Sequence, residues 1–453
     1  MRYELLLVFG IVHNAFIIKS NFSYGGKKMK KILSSVVAVA MIATAFTGCQ
    51  KKNGNKSSDN SGSVKLEMYY YKQENQEGLK NVVRAFEKKN PGISIDMLII
   101  PNDADSAMSA RAAQGDLPDI LQMQSYARIK EYAGKGFLLD LSTQEAMQRV
   151  LPSSLPAVSY DGKQYAVPMD YAGIGIIYNK DIFAKYGLEA PTTYRDLERV
   201  CRTLKDNNII PFAALLKENW SVGHFITMVH TALLQEKSIS VDSFISMMNS
   251  GKSSYGTVDT DKLFSILDFY RENMNSNAAE MDGGNQQQSF AKGESAMMVQ
   301  GLWAYLDALK LNPNLNAGFI PFPVYNDAKM NTFYADVDST FGVSSQSSKE
   351  KQEAAVKFLN WLTSDEGRKA WMDEYKLIPP FKGVDVSQFG GPFVDLMKSV
   401  EEKGSMPWAF SQYPSDVFED ACKNGAQQYM MHKKSASDVI KGIDNQWAVS
   451  TNK

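Results

Sequence analysis

The chain has 453 residues, well past the ~250–300 at which a single hydrophobic core stops growing, so two lobes or two domains are expected. Hydrophobic residues make up 44% and charged residues 22%, the balance of a globular protein rather than a disordered one. A formal net charge of -1 argues against a nucleic-acid partner, which needs a basic face, and three cysteines are too few for a disulfide scaffold.

From the N-terminus, Met29-Lys30-Lys31 is followed by an apolar run from Ile32 to Phe46 and then Thr47-Gly48-Cys49. A short basic stretch, an apolar stretch and small residues before a cleavage point form a secretory signal over 29–48. The run is too short for a transmembrane helix. Cys49 at its end resembles the bacterial lipobox cysteine, which implies lipidation at Cys49 and anchoring to the outer face of the cell membrane. A signal cut elsewhere, with Cys49 incidental, is the plainer alternative. Residues 49–63 contain the run KKNGNKSSDNSGS, a polar tether that cannot bury a core. Residues 1–28 lie upstream of a complete signal and are expected to be a mis-assigned extension, with Gly25-Gly26 translated from a purine-rich ribosome-binding site. A genuine membrane segment at Leu5–Val12 is the alternative.

After the tether, Val64–Tyr71 is rich in β-formers and predicts a strand. Leu79, Val82, Val83 and Phe86 have helical spacing within 78–89, and Asn90-Pro91-Gly92 is a strong stop. Ile93–Ile100 predicts a second strand, 107–114 a helix closed by Gly115, and 119–123 a buried strand. Strand, helix, strand with short breaks is the signature of a parallel sheet, so the fold class is α/β. Later, 263–275, 350–362 and 435–447 carry amphipathic periodicity.

Particular motifs then recur in order: Gly115-Asp116-Leu117-Pro118-Asp119-Ile120; Asp161-Gly162-Lys163-Gln164-Tyr165-Ala166-Val167-Pro168; Ile177-Tyr178-Asn179-Lys180-Asp181; and Pro191-Thr192-Thr193. Phe290-Ala291-Lys292-Gly293-Glu294 leads to Gly301-Leu302-Trp303, and Glu353-Ala354-Ala355 precedes Ser364-Asp365-Glu366-Gly367. Gly115 suits a helix end at positive φ, Asp161-Gly162 suits a turn, and Thr193 suits a helix N-cap. The ordered set, covering essentially all of 64–453, resembles the extracellular solute-binding proteins of carbohydrate ABC importers, the group that includes maltose-binding protein. The resemblance implies a type II periplasmic-binding-protein fold, two α/β lobes joined by a hinge with the ligand cleft between them. Its implied lobes are 64–170 with 322–362 and 173–321 with 363–453. The crossings then fall near 170–175, near 320–323 and after Leu362. The implied partners are a carbohydrate ligand and the importer's permease subunits; the chain is expected to be a monomer, with no cofactor and no nucleic acid.

A sugar presents apolar C–H faces and a rim of hydroxyls, so its site wants aromatic platforms beside carboxylate or amide acceptors. The resemblance places a stacking indole at Trp303 and a second aromatic platform at Trp220, with Trp408 and Tyr413 closing over the sugar. Gln73 and Glu74 follow the first strand, and Gln124, Ser125 and Tyr126 the third, where α/β sheets bind ligands. Asp170 and Asp338 are the candidate carboxylates, with Asp336 as competitor to the latter. Trp361, Trp371 and Trp447 have helical spacing and are expected in the core or in helix packing. Cys201 and Cys422 either pair or remain lone buried thiols, the latter being favoured. His224 and His230, six apart, are poorly spaced for a shared metal. Two other functional classes remain: the same fold carrying a polyamine, peptide or metal complex, and a secreted glycosidase using paired carboxylates. No nucleophile motif or phosphate loop favours an enzyme, and the resemblance carries no catalytic residues.

Overall fold

The computed structural model describes residues 63–72, 75–100 and 104–451. The signal, Cys49, most of the tether, Gln73 and Glu74 lie outside the described residues. Thirteen strands occur among them: β1 (Val64–Tyr70), β2 (Ile93–Ile99), β3 (Ile120–Gln124), β4 (Ser159–Tyr160), β5 (Lys163–Gln164), β6 (Ala166–Pro168), β7 (Tyr171–Asn179), β8 (Ile210–Phe212), β9 (Ser295–Gly301), β10 (Ala317–Ile320), β11 (Phe333–Val337), β12 (Ser339–Val343) and β13 (Ser405–Met406). They form two main sheets, one in each lobe of a bilobed α/β fold.

The first sheet has the order β2-β1-β3-β12-β6. β1 lies parallel to both β2 and β3, while β12 runs antiparallel to β3 and β6. The βαβ unit expected at its start is present: the helix Gln76–Lys89 buries Leu79, Val82, Val83 and Phe86 and ends at Asn90, whose N–H reaches the carbonyls of Phe86 and Glu87. Full burial of such side chains contributes roughly 1.5–3 kcal/mol each, which is why the 3.6-residue spacing decides the packing face. Phe86 meets Phe358 edge-on at 5.1 Å, tying this helix to Lys349–Leu362 in one core with Leu66, Met68, Phe341 and Trp371.

The second sheet has the order β13-β11-β7-β9-β8, with β10 also on β7. β9, β10 and β11 all run antiparallel to β7, and β8 runs parallel to β9. Its largest core gathers Ile174, Ile176, Phe225, Met297, Tyr334, Trp408 and Trp447. Thr193 caps Tyr194–Asp206 by accepting the Asp196 N–H, the role its place after Pro191 predicts.

The chain passes from the first sheet to the second between β6 and β7, at 169–170, and returns between β11 and β12, at Asp338. The return was expected at 320–323. It comes later because Phe319 and Tyr334 both remain in register on β7, opposite Ile177 and Ile174. The last passage also comes later than Leu362. Trp371, Tyr375, Leu377 and Phe381 fill the first core, and the next helix to pack on the second sheet is Gly391–Lys403, through Phe393 and Leu396. Cys201 and Cys422 are both free and buried. Among the described residues no helix is long and apolar enough to cross a membrane.

Candidate functional site

Five rings make a continuous run in the second lobe. Trp303 meets Trp408 edge-on at 6.4 Å, Trp408 lies 4.9 Å from Phe410, Phe410 stacks on His224 at 4.3 Å, and His224 meets Trp220 at 5.6 Å. The two ends, Trp303 and Trp220, are half-buried, whereas Trp408 is 1% exposed. Local sequence sets each end. Trp303 is the second residue of the helix Leu302–Leu311, which starts directly after Gly301, and its ring lies so close to Gly301 that a side chain there would clash. Trp220 opens the helix Trp220–Glu236, and its indole N–H donates to the Glu218 carboxylate at 2.7 Å. His224 packs against Phe410 and Phe418, and burial followed by the neighbouring Lys423 pushes its pKa down to about 3, so the ring is neutral.

The first lobe meets this run through the loop after β3. Tyr126 sits at φ 55°, a conformation that costs a non-glycine residue roughly 1–3 kcal/mol. Three backbone bonds hold the turn: Tyr126 N–H to the Ala157 carbonyl (2.8 Å), Ala127 N–H to Ser411 (2.9 Å) and Lys130 N–H to Tyr126 (2.9 Å). The Tyr126 hydroxyl donates to both oxygens of Asp336, at 3.1 and 3.0 Å. That carboxylate also accepts the N–H groups of Val337 (2.7 Å) and Trp408 (3.2 Å). Burial raises the Asp336 pKa to about 6 even though these donors oppose the shift. Beside this junction a crevice of about 10 Å³ runs between Gln124, Ser125 and Arg128 on one side and Phe410, Ser411 and Glu419 on the other. Small-molecule sites occupy about 300–1,000 Å³, so the crevice is far smaller than such a site.

At the crossings, the Lys72 ammonium lies 2.8 Å from Asp170 and 2.6 Å from Asp338. Asp170 is fully buried and also accepts the Ser339 N–H (2.6 Å) and hydroxyl (2.8 Å). Burial alone would lower the Lys72 pKa, but Asp170 and Asp338 outweigh it and leave the group well above its usual value.

Several of the expected ligand residues have partners within the protein. Asp170 and Asp338 are committed to Lys72, because two carboxylates at adjoining crossings need a shared counter-ion. Trp408 and Tyr413 are core residues: the Trp408 indole N–H donates to the Tyr334 carbonyl at 2.8 Å, and the Tyr413 ring packs on Trp447 at 4.8 Å. Ser125 donates to the Val337 carbonyl at 2.8 Å. Trp303, Trp220, Gln124 and Tyr126 retain exposed surface. Trp371 and Trp447 are buried and Trp361 is half-buried, in agreement with their helical spacing. Sequence reasoning misses Lys72, Phe410 and His224; Lys72 was legible as the residue just past the C-terminal end of the first strand, where this architecture concentrates its functional groups. Among the described residues no cluster of three His, Cys, Asp or Glu could hold a metal.

Comparison with known proteins gives a consistent result. The family model for bacterial extracellular solute-binding proteins matches residues 71–369. The multiple sugar-binding protein of Streptococcus mutans is 23% identical over 430 residues, covering 92% of this chain and 97% of that protein. The melibiose/raffinose/stachyose-binding protein MelE of Bacillus subtilis is 25% identical over 298 residues, 64% and 67% of the two chains. Among solved structures, the solute-binding protein RafE in complex with raffinose superposes with a TM-score of 0.75 at 20% identity, covering 86% of this chain and all of that one. A chitin oligosaccharide binding protein superposes with a TM-score of 0.74, also at 20% identity, covering 85% and 99%. With the model spanning most of the chain and the two-lobed architecture described above, the protein belongs to the bacterial extracellular solute-binding protein family.

Proposed function

We propose that the chain is the substrate-binding lipoprotein of an ABC importer, capturing a sugar or oligosaccharide between its lobes and delivering it to the membrane permease. The observation that carries the reading is the pair of half-buried tryptophans, Trp303 and Trp220, at the two ends of one aromatic run. Indole faces take up the C–H surface of a sugar, while Gln124 and Glu218 offer amide and carboxylate partners for its hydroxyls. The relatives named for multiple sugars and for melibiose, raffinose and stachyose support a carbohydrate cargo. Cys49 supplies the anchor at the outer face of the membrane.

A thermal-shift screen of sugars, polyamines and peptides tests this reading. A cognate sugar at a hundred times its dissociation constant should stabilise the chain by about 2.7 kcal/mol. Stabilisation by a polyamine or peptide and by no sugar refutes the carbohydrate assignment; release of smaller sugars from the added oligosaccharide refutes the carrier role.

A further inference from the structure

A second concave surface of about 550 Å³ lies along the helices Gly283–Ala291 and Leu302–Leu311, lined by Asp282, Gln287, Gln288, Asp307, Lys310 and Leu311 among others. That volume falls within the ~300–1,000 Å³ of small-molecule sites. Both walls connect it to the aromatic run. On one helix, Asp307, Lys310 and Leu311 follow Trp303 by four, seven and eight residues, the spacing of a single face. On the other side, the Gly283 N–H reaches one Glu218 oxygen at 3.4 Å while the other oxygen accepts the Trp220 indole N–H, and Lys217 reaches Asp282 at 3.3 Å.

The lining selects an uncharged occupant. Asp307 is paired with Lys310 at 2.8 Å and Asp282 with Lys217, leaving little net field for an ion. Among the described residues no hydrogen bond engages the side-chain amides of Gln287 and Gln288, and Gln288 is exposed. Each amide carries a donor and an acceptor, the complement of a hydroxyl. Leu311, 55% exposed, adds an apolar patch for a C–H face. From this continuity and chemistry we infer that the groove holds the outer units of a neutral oligosaccharide whose inner unit lies against Trp303. This inference rests on the carbohydrate reading above and narrows the cargo to an extended chain.

The test is calorimetry on the purified chain with di-, tri- and tetrasaccharides of the raffinose, chitin and xylan types, comparing the unaltered protein with Gln287→Ala/Gln288→Ala and with Leu311→Ser. The unaltered protein should bind the longest member of its preferred series most tightly. The paired glutamine variant should weaken that member about tenfold, as the loss of two ordinary hydrogen bonds implies, and leave the disaccharide within about twofold. Leu311→Ser should act in the same direction. Equal affinity across lengths, or equal weakening of short and long sugars, overturns the groove while leaving the carbohydrate reading intact. Binding of no sugar at any length overturns both.

Discussion

Gly301 shows how one missing side chain places another. Its φ of -91° is open to any residue, so conformational freedom is not the reason for glycine here. A Cβ at this position would lie 2.1 Å from Cζ3 and 2.2 Å from Cη2 of Trp303, well inside van der Waals contact. The indole rests on the bare α-carbon and is thereby aimed. Gly301→Ala should displace the ring, shift the intrinsic tryptophan emission and weaken sugar binding at least about tenfold, equivalent to ~1.4 kcal/mol. Its thermal midpoint should fall only slightly, because the ring moves at a half-exposed site. Calorimetry and fluorescence together check this; an unaltered emission spectrum with an unaltered dissociation constant removes Gly301 from the positioning role. The motif Gly301-Leu302-Trp303 was legible in the sequence, but the contact between ring and α-carbon was not, since it depends on the side-chain angles of a helix N-terminus.

Among the elements, the informative ones are the crossings. Periodicity located the helices it named to within a few residues: 78–89 became Gln76–Lys89, 350–362 became Lys349–Leu362 and 435–447 became Ala436–Thr451. It could not say which lobe an element joins, and two of the three crossings that the resemblance implies come later in the chain than expected. Lys72 joins the first strand to two of them through Asp170 and Asp338. Lys72→Met removes the shared cation and strands two carboxylates, one of them fully buried. The expected cost is about 3–5 kcal/mol in a urea titration, the range for breaking a buried ion pair from one side. A loss below about 1 kcal/mol would mean that water already reaches this node. Replacing all three charged groups by apolar ones should recover much of the loss, because the desolvation cost disappears with the pair.

Across the whole molecule, the two lobes meet where Tyr126 donates to Asp336 and Asp336 in turn accepts from Trp408. With a folded pKa of about 6 against roughly 3.9 in the unfolded chain, Asp336 binds its proton more tightly when folded. Its contribution to stability is fully present below about pH 4 and is lost as pH rises through 6. Between those values this one group should lower stability by up to about 1.4 kcal/mol per pH unit. Asp336→Asn should be less stable overall, since an amide cannot accept every donor now on the carboxylate, yet its stability should rise relative to the original chain across that interval. Denaturant titrations at pH 4, 5, 6 and 7 check this; parallel curves for the two proteins would place the proton elsewhere. On the proposed carbohydrate reading, the crevice of about 10 Å³ at this junction is too small for a sugar unless the lobes part.

The sequence by itself determined the α/β class, the opening elements of the first lobe and the family, because hydrophobic period and turn residues act locally and the ordered motifs carry their spacing with them. It also singled out Trp303 and Trp220, the two half-buried ends of the aromatic run. Only the tertiary structure decided that Asp170 and Asp338 share Lys72, that Trp408 and Tyr413 are buried, and that Asp336 bonds to Tyr126. The two polar outcomes depend on residues distant in sequence meeting at a lobe junction, as Tyr126 and Asp336 do across 210, and the burial of Trp408 and Tyr413 depends on how the second core packs. Whether a carboxylate faces solvent, a cation or a hydroxyl is a property of that meeting and leaves no trace in local pattern.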